Sequence, residues 1–277
     1  MLKTRIITAV LLLAVLLPVL FFNYFPAFAA IAAAFFGAAV WESFRLFKNR
    51  FALPIALACC ALFAYAFLLG GVRGEPMIWF ALSGAIWLLR FVPALGTGLP
   101  PLDGVGNTLL SMVYAVAIVA CFIAIVALFQ HSPLYLLSVM ALVWIADIGA
   151  YFSGKAFGKR KLAPSISPGK SWEGAIGGGI AVLVLGALSV LLAPGAPLLA
   201  DTFAVRLQAA FGWVATLAAL VLIVAASVVG DLFESMLKRR AGIKDSSNLL
   251  PGHGGVLDRI DALIPVLPFA ALVASWL

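Results

Sequence analysis

The chain has 277 residues, of which 65% are hydrophobic and only 10% are charged, and this composition excludes a soluble globular domain. Several apolar runs reach the roughly 20 residues needed to cross a hydrocarbon core about 30 Å thick. The net charge is +7, but no nucleic-acid partner is expected of a chain with this composition. The three cysteines all lie in apolar runs, so neither a disulfide framework nor a thiolate metal site is predicted.

The apolar runs predict an all-α, polytopic membrane protein of about nine transmembrane helices, with a cytoplasmic N-terminus and a periplasmic C-terminus. We expect a single integral-membrane domain, residues 1–277, in which residues 1–130 supply N-terminal helices and residues 131–277 supply catalytic helices and cytoplasmic loops. The first run resembles a secretory signal, but cleavage after it would leave the second run too short to span. The predicted spans lie near residues 5–22, 27–44, 51–70, 77–94, 109–129, 133–153, 174–193, 209–230 and 261–277.

The basic residues give this arrangement its orientation. With the N-terminus inside, every Lys and Arg except Arg73 and Arg206 falls on the cytoplasmic side, as the positive-inside rule requires. We therefore expect a multi-pass protein of a bacterial-type inner membrane, surrounded by membrane lipids. Basic loops alone orient most such proteins, so function is sought where the basic residues are mixed with acids, Gly and Ser.

The first such segment runs from the sixth predicted span into the seventh. Asp147 lies within an apolar helix, where a carboxylate is costly unless it faces a polar cavity or clamps two helices together. A basic loop follows, and Ser171 is placed to cap the next helix. Lys170 and the free backbone donors at that helix start could then bind a phosphate. The alternative is an ordinary basic loop with a helix cap.

The second segment begins where the eighth span meets Asp231. If the helix continues, then Asp231, Glu234 and Ser235 share one face. Asp231 is either a functional acid in a cavity or an interfacial acid paired with Lys238 or Arg239.

A glycine-rich loop follows that helix. Glycines 252, 254 and 255 predict positive φ angles that turn backbone N–H groups toward an anion. Asp258 and Asp261, three residues apart, are predicted to reach one divalent cation together with Asp231, and oxygen ligands of this kind suit Mg²⁺. Taken one at a time, these features have simpler explanations. Acids at a helix N-terminus are stabilised by the helix dipole, and a glycine-rich turn can simply link two helices. Together they indicate a phosphoryl or nucleotidyl transfer site.

This segment resembles the signature of the phosphatidate cytidylyltransferase family. The resemblance covers Ser235-x-x-Lys238-Arg239, Lys244-Asp245 and Leu250-Pro251-Gly252-His253-Gly254-Gly255-x-x-Asp258-Arg259-x-Asp261. A second block, Ser167-Pro168-Gly169-Lys170-Ser171-Trp172-Glu173-Gly174, is also similar, although Gly169 stands where the family more often has Lys. The first five spans carry only generic membrane composition.

The resemblance implies transfer of CMP from CTP to phosphatidic acid, with CDP-diacylglycerol and pyrophosphate as products. It implies Mg²⁺ at Asp231, Asp258 and Asp261, with the identity of a second cation left open. A homodimer is as compatible with the sequence as a monomer. The catalytic residues expected are the three aspartates with Lys170, Lys244 and Arg259. The residues expected to bind substrate are Asp147, Ser171, Glu173, Ser235, Lys238, Arg239, Asp245, His253, Gly254 and Gly255.

Two other functions stay open at this point. A CTP-dependent polyprenol or phytol kinase would use the same metal and phosphate chemistry, but it would transfer the γ-phosphoryl group to an alcohol and need a base such as Asp147 or Asp245. A transporter would use Asp147 and Asp231 as coupling acids.

Overall fold

A computed structural model describes residues 2–68 and 76–277 of the chain. The first half is helical: α1 is Leu2–Phe21, α2 is Phe25–Leu46, α3 is Ala52–Leu68, α4 is Met77–Ile86, α5 is Val92–Thr97 and α6 is Val105–His131. A π-helical turn, Trp87–Phe91, joins α4 to α5 directly before Pro93. Proline has no N–H to donate to the preceding turn, which accounts for the irregularity at this point.

The second half contains α7 (Pro133–Phe157), α8 (Trp172–Leu192), α9 (Phe203–Ala241), the short α10 (Leu257–Ile260) and α11 (Leu263–Ala274). Between α7 and α8 lies an antiparallel hairpin of β1 (Lys161–Ala163) and β2 (Ser167–Ser171). The basic loop expected here is therefore a hairpin. Two short 3₁₀ turns, Ala193–Gly195 and Pro197–Leu199, connect α8 to α9.

The helices confirm a polytopic membrane protein. Among the described residues, six helical segments are long and apolar enough to cross a membrane: Phe25–Leu46, Met77–Thr97, Val105–His131, Pro133–Phe157, Trp172–Gly195 and Phe203–Ala241. The predicted third and ninth spans correspond to the shorter helices α3 and α11. Arg73, which we expected on the outer side, lies outside the described residues, as do residues 69 and 70 of the predicted third span.

The eighth span differs from its prediction at both ends. It was expected over 209–230, but α9 covers 39 residues from Phe203, with a kink at Gly212. The helix does continue through Gly230, as the predicted face of Asp231 and Ser235 requires. The 11 residues after Gly230 extend the helix by about 16 Å. It ends at Gly242, whose left-handed conformation closes the last turn.

The ninth span was expected to begin at Asp261, and here the prediction was wrong. Asp261 and Ala262 form a turn between α10 and α11, so Asp258 does not lie on the last apolar helix. Pro265 explains the break, because it cannot donate a hydrogen bond to the carbonyl of Asp261 four residues earlier. Gly230 on α9 packs against that same carbonyl, and a side chain at position 230 would collide with it.

The core that holds the polar segments together is centred on α6, which contacts α2, α4, α7 and α11. Near the end of α9, the fully buried Phe233 packs against Phe91 and Tyr114, with ring centroids 4.3 and 5.3 Å apart. Phe233 lies between Asp231 and Glu234 in the sequence. Its aromatic contacts therefore fix the rotation of α9 and the direction in which those two acids point.

Helices α7 and α8 approach closely enough to need glycine at their interface. A side chain at Gly178 would collide with the backbone carbonyl of Ala146 on α7. Gly154 and Gly174 are also in close contact, since a Cβ on Gly154 would lie 3.5 Å from the Cα of Gly174. Small residues permit this backbone approach between membrane helices. The tight pairing brings Asp147 on α7 to the same side of the structure as the start of α8.

Candidate active site

A cavity of about 390 Å³ lies between α7, α8, the hairpin and α9. Its polar lining includes Asp147, Lys170, Ser171 and Asp231, whereas Val224 and other small apolar side chains line the rest. A cavity with one polar and one apolar part can accommodate an amphipathic ligand. The structure therefore brings together four predicted site residues from two segments that are more than 50 positions apart in the sequence.

Lys170 and Asp231 form an ion pair across this cavity. Asp231 also accepts a hydrogen bond from Ser235, 3.2 Å away, which confirms that these two residues share a face of α9. Of the two alternatives for Asp231, the structure favours the acid in a cavity, since its ion pair is with Lys170 and not with Lys238 or Arg239. The hairpin carries Lys170 over the end of α9, where Phe233 and the adjacent aromatic rings fix the direction of Asp231.

Ser171 caps α8 as predicted, since its side chain accepts a hydrogen bond of 3.2 Å from the backbone N–H of Gly174. Glu173, which was predicted to bind substrate, contacts the entry to the hairpin. Its carboxylate accepts hydrogen bonds from the backbone N–H groups of Lys159 and Arg160 and from the Arg160 side chain. Glu173 therefore anchors the entry to the hairpin, and it is not among the residues that line the cavity.

Lys238 lies between two acids, about two turns beyond Asp231 on α9. It forms ion pairs with Glu234 and with Asp258, and its Nζ lies 2.6 Å from Asp258 Oδ1. The side chains of Glu234 and Asp258 are 0% and 4% exposed, and that of Lys238 is 13% exposed. Burial on this scale makes the three charges mutually dependent. The ammonium that was expected to bind a CTP phosphate thus compensates two buried carboxylates.

Asp258 closes the glycine-rich loop. Its Oδ2 accepts hydrogen bonds from the N–H and hydroxyl of Ser246 and from the N–H of Gly255, at 2.8, 2.9 and 2.8 Å. Burial opposes the charged form of Asp258, but the Lys238 ammonium and these backbone donors hold the pKa of the carboxyl below its usual value. Asp258 is therefore an ionised carboxylate that organises the loop around itself.

The loop glycines agree with the prediction only in part. Gly252 and Gly254 have φ angles of 78° and 84°, as expected. Gly255 is absent from the positive-φ positions of the described chain, and its N–H points to Asp258 and not to an open anion site. Glycine is required at 255 for space, because a Cβ there would lie 2.5 Å from Glu42 Oε1 and would also collide with the Ser246 hydroxyl.

Glu42 is the residue that the sequence reasoning missed. It lies on α2, is 0% exposed and accepts hydrogen bonds from the loop between α9 and α10. Ser246 and Ser247 are also buried there. The available signal was the same one that identified Asp147: an acid within an apolar run is a candidate for function.

The three aspartates do not form a ready metal site. Within residues 2–68 and 76–277, no three His, Cys, Asp or Glu side chains are grouped closely enough to hold an ion. Asp231 and Asp261 nevertheless lie close enough to repel one another. Asp261 Oδ1 accepts a hydrogen bond of 2.8 Å from the N–H of Ala262. This pair of carboxylates fits the few protein ligands that Mg²⁺ uses alongside substrate phosphates, whereas Asp258 already has four donor groups within hydrogen-bonding distance.

The remaining predicted residues do not line the first cavity. Lys244 and Asp245 line a second cavity, of about 620 Å³, with Trp41 and Arg45 at the end of α2. Three further predicted residues, Arg239, His253 and Arg259, take part in hydrogen bonds within the protein. Arg239 Nε donates to the carbonyl of Ile166 in the hairpin, and Arg259 Nε donates to the carbonyl of His253.

Comparison with known proteins agrees with this arrangement. The sequence profile of the cytidylyltransferase family matches residues 3–277. The phosphatidate cytidylyltransferase of Pseudomonas aeruginosa is 43% identical over 100% of this chain and 99% of the relative. The proteins of that name from Haemophilus influenzae and Bacillus subtilis are 38% and 34% identical, over 97% and 96% of this chain and 97% and 95% of their own lengths. The chain therefore belongs to the cytidylyltransferase family.

Proposed function

We propose that the protein is a phosphatidate cytidylyltransferase that transfers CMP from CTP to phosphatidic acid at the cytoplasmic face of a bacterial inner membrane. The observation that carries the proposal is the Lys170 and Asp231 pair in a cavity that is partly polar and partly apolar. A phosphate-binding cation and a carboxylate beside apolar helices suit a lipid phosphate. The full-length match to curated relatives of this activity supports the same conclusion.

Phosphatidic acid would bind in the first cavity. Lys170 and the capped start of α8 supply positive charge and backbone donors for its phosphate, and the apolar residues of α9 lie beside its acyl chains. CTP would enter from the cytoplasm beside the second cavity, where Lys244 and Arg45 supply positive charge. Lys170 has to exchange its contact with Asp231 for the lipid phosphate when the substrate binds.

The reaction exchanges one phosphoanhydride bond for another. An oxygen of the phosphatidate phosphate attacks the α-phosphorus of CTP, a new P–O bond forms, the bond to the β-phosphate breaks, and pyrophosphate leaves with the bonding electrons. The second pKa of a phosphate monoester is near 6, so the nucleophile is already ionised at neutral pH and no strong base is needed. The task left to Lys170 and Lys244 is to orient the two anions and offset their repulsion.

Asp231 and Asp261 would hold Mg²⁺, and Asp258 would support them from the loop. A bound divalent cation supplies positive charge to the phosphate oxygens as negative charge develops. The carboxylates also keep Lys170 and Lys238 fixed until substrate arrives. Two of the three, Asp231 and Asp258, form ion pairs with those ammonium groups.

Labelled CTP tests the reaction. Purified protein given phosphatidic acid, Mg²⁺ and CTP labelled at the α-phosphate should transfer the label to lipid, and label at the γ-phosphate should leave with pyrophosphate. A CTP-dependent lipid kinase would give the opposite result with an alcohol acceptor. Transport of solute without any labelled lipid product would instead favour a transporter and refute the proposal.

Orientation is tested at Asn248, which is exposed in the loop between α9 and α10. After the three native cysteines are replaced, Asn248→Cys should react with a membrane-impermeant maleimide in inside-out vesicles and stay unlabelled in intact cells. Ser246 is unsuitable for this purpose because it is 1% exposed. Labelling from the periplasm would contradict the cytoplasmic placement of the site.

A further inference from the structure

We propose that Glu42 is a positioning residue for catalysis, through which the N-terminal half of the chain holds the active-site loop in place. Glu42 lies one turn before the end of α2, whereas the aspartates and lysines of the site lie at or after residue 147. Its side chain is fully buried, and it is not among the residues lining either cavity. Any effect on the reaction must therefore pass through the groups that it contacts.

Four donors converge on the Glu42 carboxylate, all from residues 246–257. One oxygen, Oε1, accepts from the Ser247 hydroxyl and from the N–H of Val256 at 3.0 Å. The other, Oε2, accepts from the Ser246 hydroxyl at 3.1 Å and from the N–H of Leu257 at 2.6 Å. A single side chain thus fixes both ends of the loop.

This carboxylate is held by hydrogen bonds rather than by a cation. Within the described residues, no Lys, Arg or His side chain forms an ion pair with Glu42. Burying a carboxylate is expensive unless its oxygens are fully hydrogen-bonded, and here every donor comes from the loop or the start of α10. The loop conformation and the position of the Glu42 side chain therefore stabilise each other.

The link from Glu42 to the site is Ser246. Its hydroxyl lies within hydrogen-bonding distance of Glu42 Oε2 and of Asp258 Oδ2, while its backbone N–H also donates to Asp258. A hydroxyl has a single proton, so it can donate to only one of these carboxylates at a time. Displacing the loop from Glu42 would remove up to three of the four donor groups that contact Asp258, namely the N–H and hydroxyl of Ser246 and the N–H of Gly255. Asp258 would then no longer hold Lys238 in place.

Glu42→Gln is the informative substitution because it preserves size and removes charge. Whichever way the amide is oriented, its NH₂ group faces either the N–H of Val256 or that of Leu257, and one backbone donor is left without an acceptor. The proposal rests on the proposed function for its kinetic assay. The conformation of the loop can be measured without an activity assay, as the rate at which trypsin cleaves after Lys244.

For Glu42→Gln protein that remains folded, we expect turnover to fall at least tenfold, with the Michaelis constant for phosphatidic acid changed less than threefold. Cleavage after Lys244 should become faster. Ser43→Ala is the matched control: Ser43 is the next residue on α2, equally buried, and its hydroxyl has no hydrogen-bond partner among the described residues. That variant should retain normal turnover and normal cleavage.

If Glu42→Gln does not fold, Ser247→Ala removes one donor to Glu42 and should show a smaller change of the same kind. If both variants fold, their effects on turnover should be non-additive in the double variant, because both act on one contact. The proposal would be overturned if folded Glu42→Gln showed normal turnover and unchanged cleavage after Lys244. Where Glu42→Gln does not fold, the same result in Ser247→Ala would overturn it. An inactive wild-type protein would refute the proposed function, while faster cleavage after Lys244 would still support the anchoring by Glu42.

Discussion

Replacing Lys238 with Met should destabilise the protein, because it leaves two buried carboxylates without their cation. The Glu234 and Asp258 side chains are 0% and 4% exposed, so water cannot compensate for the loss. Removing one partner of a buried ion pair costs about 3–5 kcal/mol. At about 2–4 °C per kcal/mol, we expect the midpoint of thermal unfolding in detergent to fall by roughly 6–20 °C.

Adding Glu234→Gln to Lys238→Met removes one of the unpaired charges and should restore roughly half of that loss. The control is Lys159→Met, since the side chain of Lys159 is exposed and its removal should change stability by less than about 0.5 kcal/mol. An unchanged unfolding midpoint for Lys238→Met, combined with a raised Michaelis constant for CTP, would refute the reasoning. It would return Lys238 to the phosphate-binding role that the family resemblance implies.

Three further substitutions distinguish substrate binding at Lys170 from the separate roles proposed for Asp261 and Asp258. Lys170→Ala should chiefly raise the Michaelis constant for phosphatidic acid, measured in mixed micelles by varying each substrate in turn; a selective rise in the constant for CTP would place Lys170 in the nucleotide site instead. Asp261→Asn should abolish most activity without lowering the unfolding midpoint, because it relieves repulsion with Asp231. Asp258→Asn should lower both activity and the midpoint, and equal effects of these two variants on stability would contradict the distinction.

The sequence was sufficient to predict most of the helices and the chemistry of the site. Charged residues are rare in this chain, so each acid or basic cluster within or beside an apolar run was informative. Ser171 could be identified as a helix cap because the serine directly precedes a long apolar run. The shared face of Asp231 and Ser235 followed from helical spacing alone, and the contact between them confirms it.

The pairing of charges could not be predicted in the same way. Lys238 and Arg239 are near Asp231 in sequence, but the cation that reaches Asp231 is Lys170, 61 positions away. Which cation reaches Asp231 depends on how the hairpin packs against α9, and the periodicity of hydrophobic residues does not predict that packing. Nine spans were predicted, and six helical segments of the described residues are long and apolar enough to cross a membrane. The predicted ninth span corresponds to α11, which has 12 residues or about 18 Å of helix, so the number nine stays a prediction.

Glu42 connects the N-terminal half of the chain to the active-site loop, and the motifs of the C-terminal half do not reveal this contact. The motifs that pointed to the family lie in residues 131–277, so catalysis was predicted in that half alone. A loop rich in glycine and serine has little apolar surface of its own to bury, and it cannot keep one conformation without partners elsewhere. The partner is an acid on α2, more than 200 residues away. The N-terminal helices therefore contribute an anchor to the active-site loop as well as apolar packing in the membrane.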